Sequence, residues 1–155
     1  MVQEAERVIG LPFPPLLRRL YLEVGNGGFS PGYGLLGLSY DSQYTGLSMY
    51  RRAREDASGS WSSFPPSLFP LCDWGCAIYS FVDCSSPEGP MWGWDPNPDP
   101  DGVEALYPQH LGLAGWLGRW IECTLYQPWL VKDPVTGTWR GATDADYAEV
   151  FAGPD

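Results

Sequence analysis

The segment Leu71–Asp95, LCDWGCAIYSFVDCSSPEGPMWGWD, constrains the fold more than any other part of the chain. Within it, Cys76 to Cys84 combines high β propensity with apolar residues on both faces, Ile78 and Val82 on one, Tyr79 and Phe81 on the other. A strand that is apolar on both sides belongs in the middle of a sheet that is covered twice. Asp73-Trp74-Gly75 reads as the turn before it, Ser85 to Gly89 as the turn after it, and Met91 to Trp94 as the return strand. The segment is therefore a β-hairpin with an aromatic surface and acidic edges. It holds no recognisable set of catalytic groups.

Helical patterns flank this hairpin. Val2 to Ile9 places Val2, Ala5 and Ile9 near one face, and Gly10 ends the turn. After the rigid Leu11–Pro15 link, Leu17, Leu20, Tyr21 and Val24 recur at i, i+3, i+4 and i+7 over Pro15 to Val24. Gly25 is the expected left-handed cap, with Asn26-Gly27-Gly28 extending the turn. Phe29 to Leu38, glycine-studded and apolar, reads as an irregular strand or two short ones. A helix over Tyr44 to Asp56 carries Arg51, Arg52 and Arg54, and Ser58 to Ser67 is a loop by composition. Phe69 to Asp73 begins the sheet, and Val103 to Tyr107 reads as a last short strand. Leu113, Trp116, Leu117, Trp120, Ile121 and Leu125 mark an amphipathic helix stopped by Pro128. The tail after Lys132 is rich in turns, with a weak helix at Asp144 to Phe151. Helices, strands and a closing helix in that order specify one α+β domain, and 155 residues suffice to bury its core without metals or disulfides.

Nineteen acidic residues against nine basic ones leave a net charge of −10. Nucleic-acid binding draws on Lys and Arg, so this balance argues against it and favours a basic partner steered in by long-range attraction. Acidity also serves solubility alone. Eight Trp and nine Tyr exceed what a small core normally absorbs, so some rings should sit at the surface as contact anchors. Met1 opens a polar stretch with no secretory pattern, and no apolar run spans a membrane, which together point to a cytoplasmic protein.

Chemistry is sparse. Cys72, Cys76, Cys84 and Cys123 lack paired metal-ligand spacing and read as buried free thiols. His110 is the only histidine and has no nucleophile nearby, so a surface or capping role fits it. No phosphate-cradling glycine motif occurs. Asp95 to Gly102 superficially resembles a calcium loop, but Pro108 stands where a bidentate Glu is required. No metal or other cofactor is expected. Paired carboxylates beside exposed Trp residues leave a carbohydrate-active or carbohydrate-binding protein as a third reading.

The ordered motifs resemble the SMI1/KNR4 family of the SUKH superfamily. Ile9 to Gly28, IGLPFPPLLRRLYLEVGNGG, is similar to that family's opening of Leu-Pro, spaced apolar residues and Asn-Gly-Gly. Trp74-Gly75 followed by Phe81-Val82-Asp83-Cys84 is similar to its W-x-x-G and strand-borne aspartate, and Leu113 to Leu125 to its closing helix. The resemblance covers about Val2 to Tyr126. It implies a curved antiparallel sheet packed by helices, with residues 1–130 as the family domain and residues 131–155 as an extension packed on it or trailing from it. It also implies a role. Many bacterial members look like immunity proteins that bind and block a cognate toxin, often a nuclease, without catalysis. Eukaryotic members include scaffolding or regulatory modules, which supply the second reading.

On the first reading, the contact candidates are Asp73, Trp74, Trp92, Trp94, Asp95, Asp99, Asp101 and Glu104. The indoles would supply desolvated anchors, and the carboxylates would pair with Lys or Arg of a basic toxin. Trp74 and Trp92 suit a core position equally well. Neither nucleic acid nor membrane is expected as a partner, and oligomeric state is not written in the sequence.

Overall fold

Leu17 is fully buried and Tyr21 nearly so, and around them the N-terminal helices dock on the sheet. The computed structural model describes residues 1–55, 64–98 and 105–152. Its elements in chain order are α1 (Val2–Ile9), α2 (Pro15–Arg19, continued by a π-turn at Leu20–Val24), α3 (Gly46–Glu55), β1 (Leu68–Gly75), β2 (Ile78–Asp83), β3 (Pro90–Trp94), β4 (Leu106–Gly112), α4 (Leu113–Ile121), β5 (Leu130–Lys132), β6 (Trp139–Gly141) and α5 (Asp144–Ala152). Strands β1 to β4 form one antiparallel sheet in sequential order. This is the α+β domain expected, and β2 is its central strand, with Ser80, Phe81 and Val82 wholly buried.

The helices follow their capping chemistry. Gly10 adopts φ 78° and returns its N–H to Glu6 O at 2.9 Å, closing α1. Pro15 occupies the first helical position of α2. Two expectations fail at the other end of this helix. Gly25 is extended, not left-handed, and its N–H reaches back five residues to Leu20 O at 3.1 Å. The wide π-turn rotates the last residues off the buried stripe, which leaves Val24 64% exposed. In α3, the Thr45 hydroxyl accepts the Ser48 N–H as an N-cap.

Asn26-Gly27-Gly28 has a packing role. The Asn26 side chain accepts the Leu38 N–H at 2.8 Å. A Cβ on Gly27 would lie 2.5 Å from Leu35 O, so only glycine admits the returning chain. That chain then runs along the open side of β1, where Leu36 N–H reaches Leu71 O and Tyr33 N–H reaches Asp73 O, both at 2.8 Å. The β1 edge is thereby covered.

The turn expected at Asp73–Gly75 lies two residues later. Trp74 and Gly75 belong to β1, and Cys76-Ala77 make the connection with φ 51° and 62°. Positive φ at both central positions matches a two-residue hairpin turn, which usually recruits Asn and Gly. Signals that weak in Cys-Ala could not be read as a turn. The last strand is also displaced, from Val103–Tyr107 to Leu106–Gly112, so His110 is a strand residue. Between Trp92↔Pro108 and Pro90↔Gly112, β4 carries two more residues than β3, and His110 in this bulge has φ 55°. Pro108, exposed on β4, has no N–H to offer a further strand.

Helix α4 buries Leu113, Trp116 and Leu117 but ends before the predicted Leu125. Cys123 at φ 57° closes it in a Schellman motif, with Thr124 N–H on Arg119 O at 2.8 Å and Cys123 N–H on Trp120 O at 3.0 Å. Ile121 is consequently 74% exposed. The four cysteines are free, but only Cys72 and Cys84 are buried, whereas Cys76 and Cys123 are exposed at their left-handed turns. Burial pushes the Cys72 and Cys84 thiols up to about 12, which keeps them unreactive.

Beyond α4, the chain forms a β5–β6 hairpin that the sequence did not announce, and α5 falls where the weak helix was expected. No helix among the described residues is long and apolar enough to cross a membrane. A Cys123→Gly variant should be stabilised by about 1 kcal/mol, because glycine occupies the left-handed cap without Cβ strain. That gain corresponds to a Tm rise of about 2–4 °C in a thermal melt.

Candidate partner-binding face

Residues paired across an antiparallel sheet share a face. Asp73 pairs with Tyr79, Tyr79 with Trp94 and Trp94 with Leu106, giving one row that crosses the four-stranded sheet. Pro70, Phe81, Trp92 and Pro108 form the adjacent row on the same face. The sheet thus presents a banded aromatic surface with the Asp73 carboxylate at one end. Tyr79, Trp92 and Leu106 are half-buried and Pro108 is exposed, whereas Pro70, Phe81 and Trp94 are buried, with the Phe64 ring packed on Phe81 at 4.9 Å.

The opposite face is the helical side. Phe69, Val82 and Met91 lie there, and Phe69 contacts Phe13 at a ring separation of 5.2 Å. Trp74, which sits in the β1 bulge, is turned to this side. Its indole N–H donates to Ser80 Oγ at 2.9 Å, and its ring meets Trp116 of α4 edge-on at 6.3 Å. The structure therefore gathers Asp73, Trp92 and Trp94 on one face and separates Trp74 from them.

Asp95 is not a surface acid. It is 3% exposed, and its carboxylate ties three segments together. Oδ1 accepts the Asn97 backbone N–H at 3.1 Å and its side-chain amide at 2.9 Å, while Oδ2 accepts Leu130 N–H at 3.0 Å. The same Asn97 amide donates to Cys76 O at 2.9 Å, which anchors the β1–β2 turn. Trp94, only 5% exposed, likewise supports the face from within. Both residues, which the sequence placed in the contact set, are thus buried where β3 ends. Asp99, Asp101 and Glu104 lie outside the described residues.

Several features add to what the sequence offered. Tyr33 is exposed, and its ring covers Gly75, where an added Cβ would approach to 2.9 Å. Tyr44 is also exposed, and the Tyr79 hydroxyl is bonded to Asp73, whose carboxylate helps burial raise the tyrosine's ionisation. These tyrosines had no spacing signal, because a loop and a strand bring them to the hairpin end. Two of the three arginines of the basic cluster on α3 are engaged within the chain. Arg54 lies 4.4 Å over the Phe64 ring and donates to its carbonyl, and Arg51 pairs with Glu55. Among the described residues no group of three or more His, Cys, Asp or Glu could hold a metal ion.

The C-terminal elements are joined to this framework by charge. Arg119 of α4 forms a two-bond pair with Asp144 at 2.8 and 3.0 Å. Arg140 grips Asp146 in the same way, and Thr143 N–H and hydroxyl add two further bonds to that carboxylate. The Arg140 guanidinium and the Thr143 donors hold Asp146 well below the usual carboxylate range, and Arg119 lowers Asp144.

With the fold and this face described, comparison with known proteins is decisive on family. Residues 1–109 match the SMI1 / KNR4 family (SUKH-1). The chain belongs to that family. The match covers α1 through most of β4, and α4, β5, β6 and α5 lie beyond it. No curated protein and no solved structure matches the chain.

Two outcomes follow from this geometry. Asp95→Ala leaves the buried Leu130 N–H without its partner and removes two bonds from the exposed Asn97, and should cost about 1–3 kcal/mol in a urea titration. For Asp144 and Asp146 the folded pKa lies below the unfolded one, so their contribution is complete above the unfolded value and is lost as pH falls through the folded one. The Trp129 indole resonance, which reports on Tyr147 and Phe151 of α5, should hold steady above about pH 5 and shift below about pH 4.

Proposed function

We propose that this protein is a non-enzymatic immunity protein that binds and neutralises a cognate bacterial toxin through the aromatic face of its sheet. The observation that carries the reading is the pairing of family membership with the Asp73–Tyr79–Trp94–Leu106 and Pro70–Phe81–Trp92–Pro108 rows. The role itself comes from the family resemblance; the rows supply a surface suited to it. An interface needs rigid, partly exposed aromatic anchors with acceptors at their edge. Trp92 is the central anchor on this reading, and Asp73 is the carboxylate that pairs with a toxin Lys or Arg. Trp94 and Asp95 act from below, by holding the face flat and its turn in place.

The toxin is proposed to be basic, as a nuclease is where it holds nucleic acid. A chain of net charge −10 attracts such a partner over long range, so the acids would raise the association rate more than the final affinity. Asp99, Asp101 and Glu104 are assigned this steering role. The site of action is proposed to be the cytoplasm, where an incoming toxin meets its target.

The test begins with the open reading frame beside this gene. The toxin domain it encodes should be lethal alone and harmless when co-expressed with this protein. Trp92→Ala should weaken the complex by about 2 kcal/mol, close to 30-fold in Kd by calorimetry, without lowering Tm by more than a few degrees. Asp99→Asn with Asp101→Asn should slow association and flatten its salt dependence while leaving dissociation unchanged. A complex of full affinity with the Trp92 variant would move the interface elsewhere. A pull-down that returned host regulators and no toxin would replace the proposal with a scaffolding role.

A further inference from the structure

A groove of about 320 Å3 opens on the aromatic face, at the end of the sheet away from Asp73. Pro90 and Trp92, two residues apart on β3, share that face, and Pro108 stands opposite Trp92 on β4. Beyond this pair comes the β4 bulge, from which His110 and Leu111 join the lining. Glu88 joins it from the turn before β3.

The walls and the charge of this groove ask for different things. Pro90 and Pro108 carry no N–H, and Trp92 and Leu111 add open apolar surface, so the walls suit an apolar stem better than a polypeptide backbone. Glu88 is exposed and supplies the one carboxylate of the lining. Among the described residues no Arg or Lys pairs with it. The Ser86 hydroxyl and Glu88's own backbone N–H hold the carboxyl below its usual range, so it is ionised at neutral pH. An anion is repelled from such a place. A neutral apolar guest fills the walls and leaves the carboxylate uncompensated. A guest with an apolar stem and a cationic end satisfies both.

Between the two cationic side chains, the indole decides. A guanidinium is planar, weakly hydrated and able to lie flat on an aromatic ring while its N–H groups fork to a carboxylate, which an ammonium cannot do. We propose that this groove receives an arginine side chain of the protein partner, its stem along Pro90, Pro108 and Leu111, its guanidinium stacked on the Trp92 indole and bonded to the Glu88 carboxylate. The inference rests on the reading of this face as a partner-binding surface and deepens it. It names the residue that Trp92 anchors, and it adds Glu88 as a second acidic contact at the opposite end of the face from Asp73.

N-acetyl-arginine amide, titrated into the full chain, stands in for that side chain. The Trp92 indole N–H resonance, identified by its loss in Trp92→Phe, should move in a saturable way with a millimolar Kd. The citrulline analogue keeps the shape of arginine without its charge and should bind about fivefold more weakly. Glu88→Gln should weaken the arginine probe about fivefold. The same variant should leave Tm unchanged, because Glu88 is exposed and pairs with no cation of the described chain. No saturable shift, equal binding of the two analogues, or arginine binding unchanged in Glu88→Gln overturns the proposal. A toxin neutralised on co-expression while the arginine probe fails to bind would leave the toxin reading standing and strike the groove alone. Binding of the probe with no toxin neutralised would keep the arginine site and strike the toxin.

Discussion

One buried carboxylate holds the working surface together. Asp95 sits where β3 leaves the sheet, and its two oxygens collect donors from the segment that follows and from the start of β5. Through Asn97 the same centre reaches the carbonyl of Cys76, at the far end of the β1–β2 hairpin. Three stretches far apart in sequence thus share one anion. Charge-assisted bonds of this type are short, directional and roughly twice as strong as neutral ones. They hold Asn97, whose amide in turn anchors the hairpin turn with its left-handed Cys76 and Ala77 through the Cys76 carbonyl. The aromatic rows lie between those anchors, so their registry depends on it.

How much of this could be read beforehand follows from the range of each interaction. Short-range rules worked where they are strong. Val2, Ala5 and Ile9 on one helical stripe, Gly10 as a left-handed cap and the two-faced apolar strand at Ile78–Asp83 are all local signals. They failed where a residue took an unusual conformation without the usual residue type. Cys-Ala at the hairpin turn and Cys123 at the α4 terminus hold positive φ that sequence patterns reserve for glycine or asparagine. Each failure displaced an element boundary and nothing more. The β5–β6 hairpin escaped because its strands are three residues long and carry almost no alternation.

The candidate face was legible in composition and illegible in geometry. A surplus of Trp and acids implied a contact surface. Which of them share a face depends on strand register, set by bulges in β1 and β4. The β1 bulge turns Trp74 to the helical side, whereas pairing alone brings Asp73, Trp92 and Trp94 together. Asp95 reads as one more acid in a loop of acids, and only the positions of Leu130 and Asn97 reveal it as structural.

Both margins of the sheet are closed to backbone pairing, by different means. Along β1 the returning chain at Tyr33–Leu36 takes the Leu71 and Asp73 carbonyls, and along β4 a proline and a two-residue bulge interrupt the ladder. A visiting protein is therefore denied the most permissive mode of association, adding a strand with little regard to sequence. Whatever recognises this molecule has to read its side chains. Discrimination between closely related visitors then becomes a matter of a few substitutions on the sheet surface, and new pairings can arise without disturbing the frame beneath.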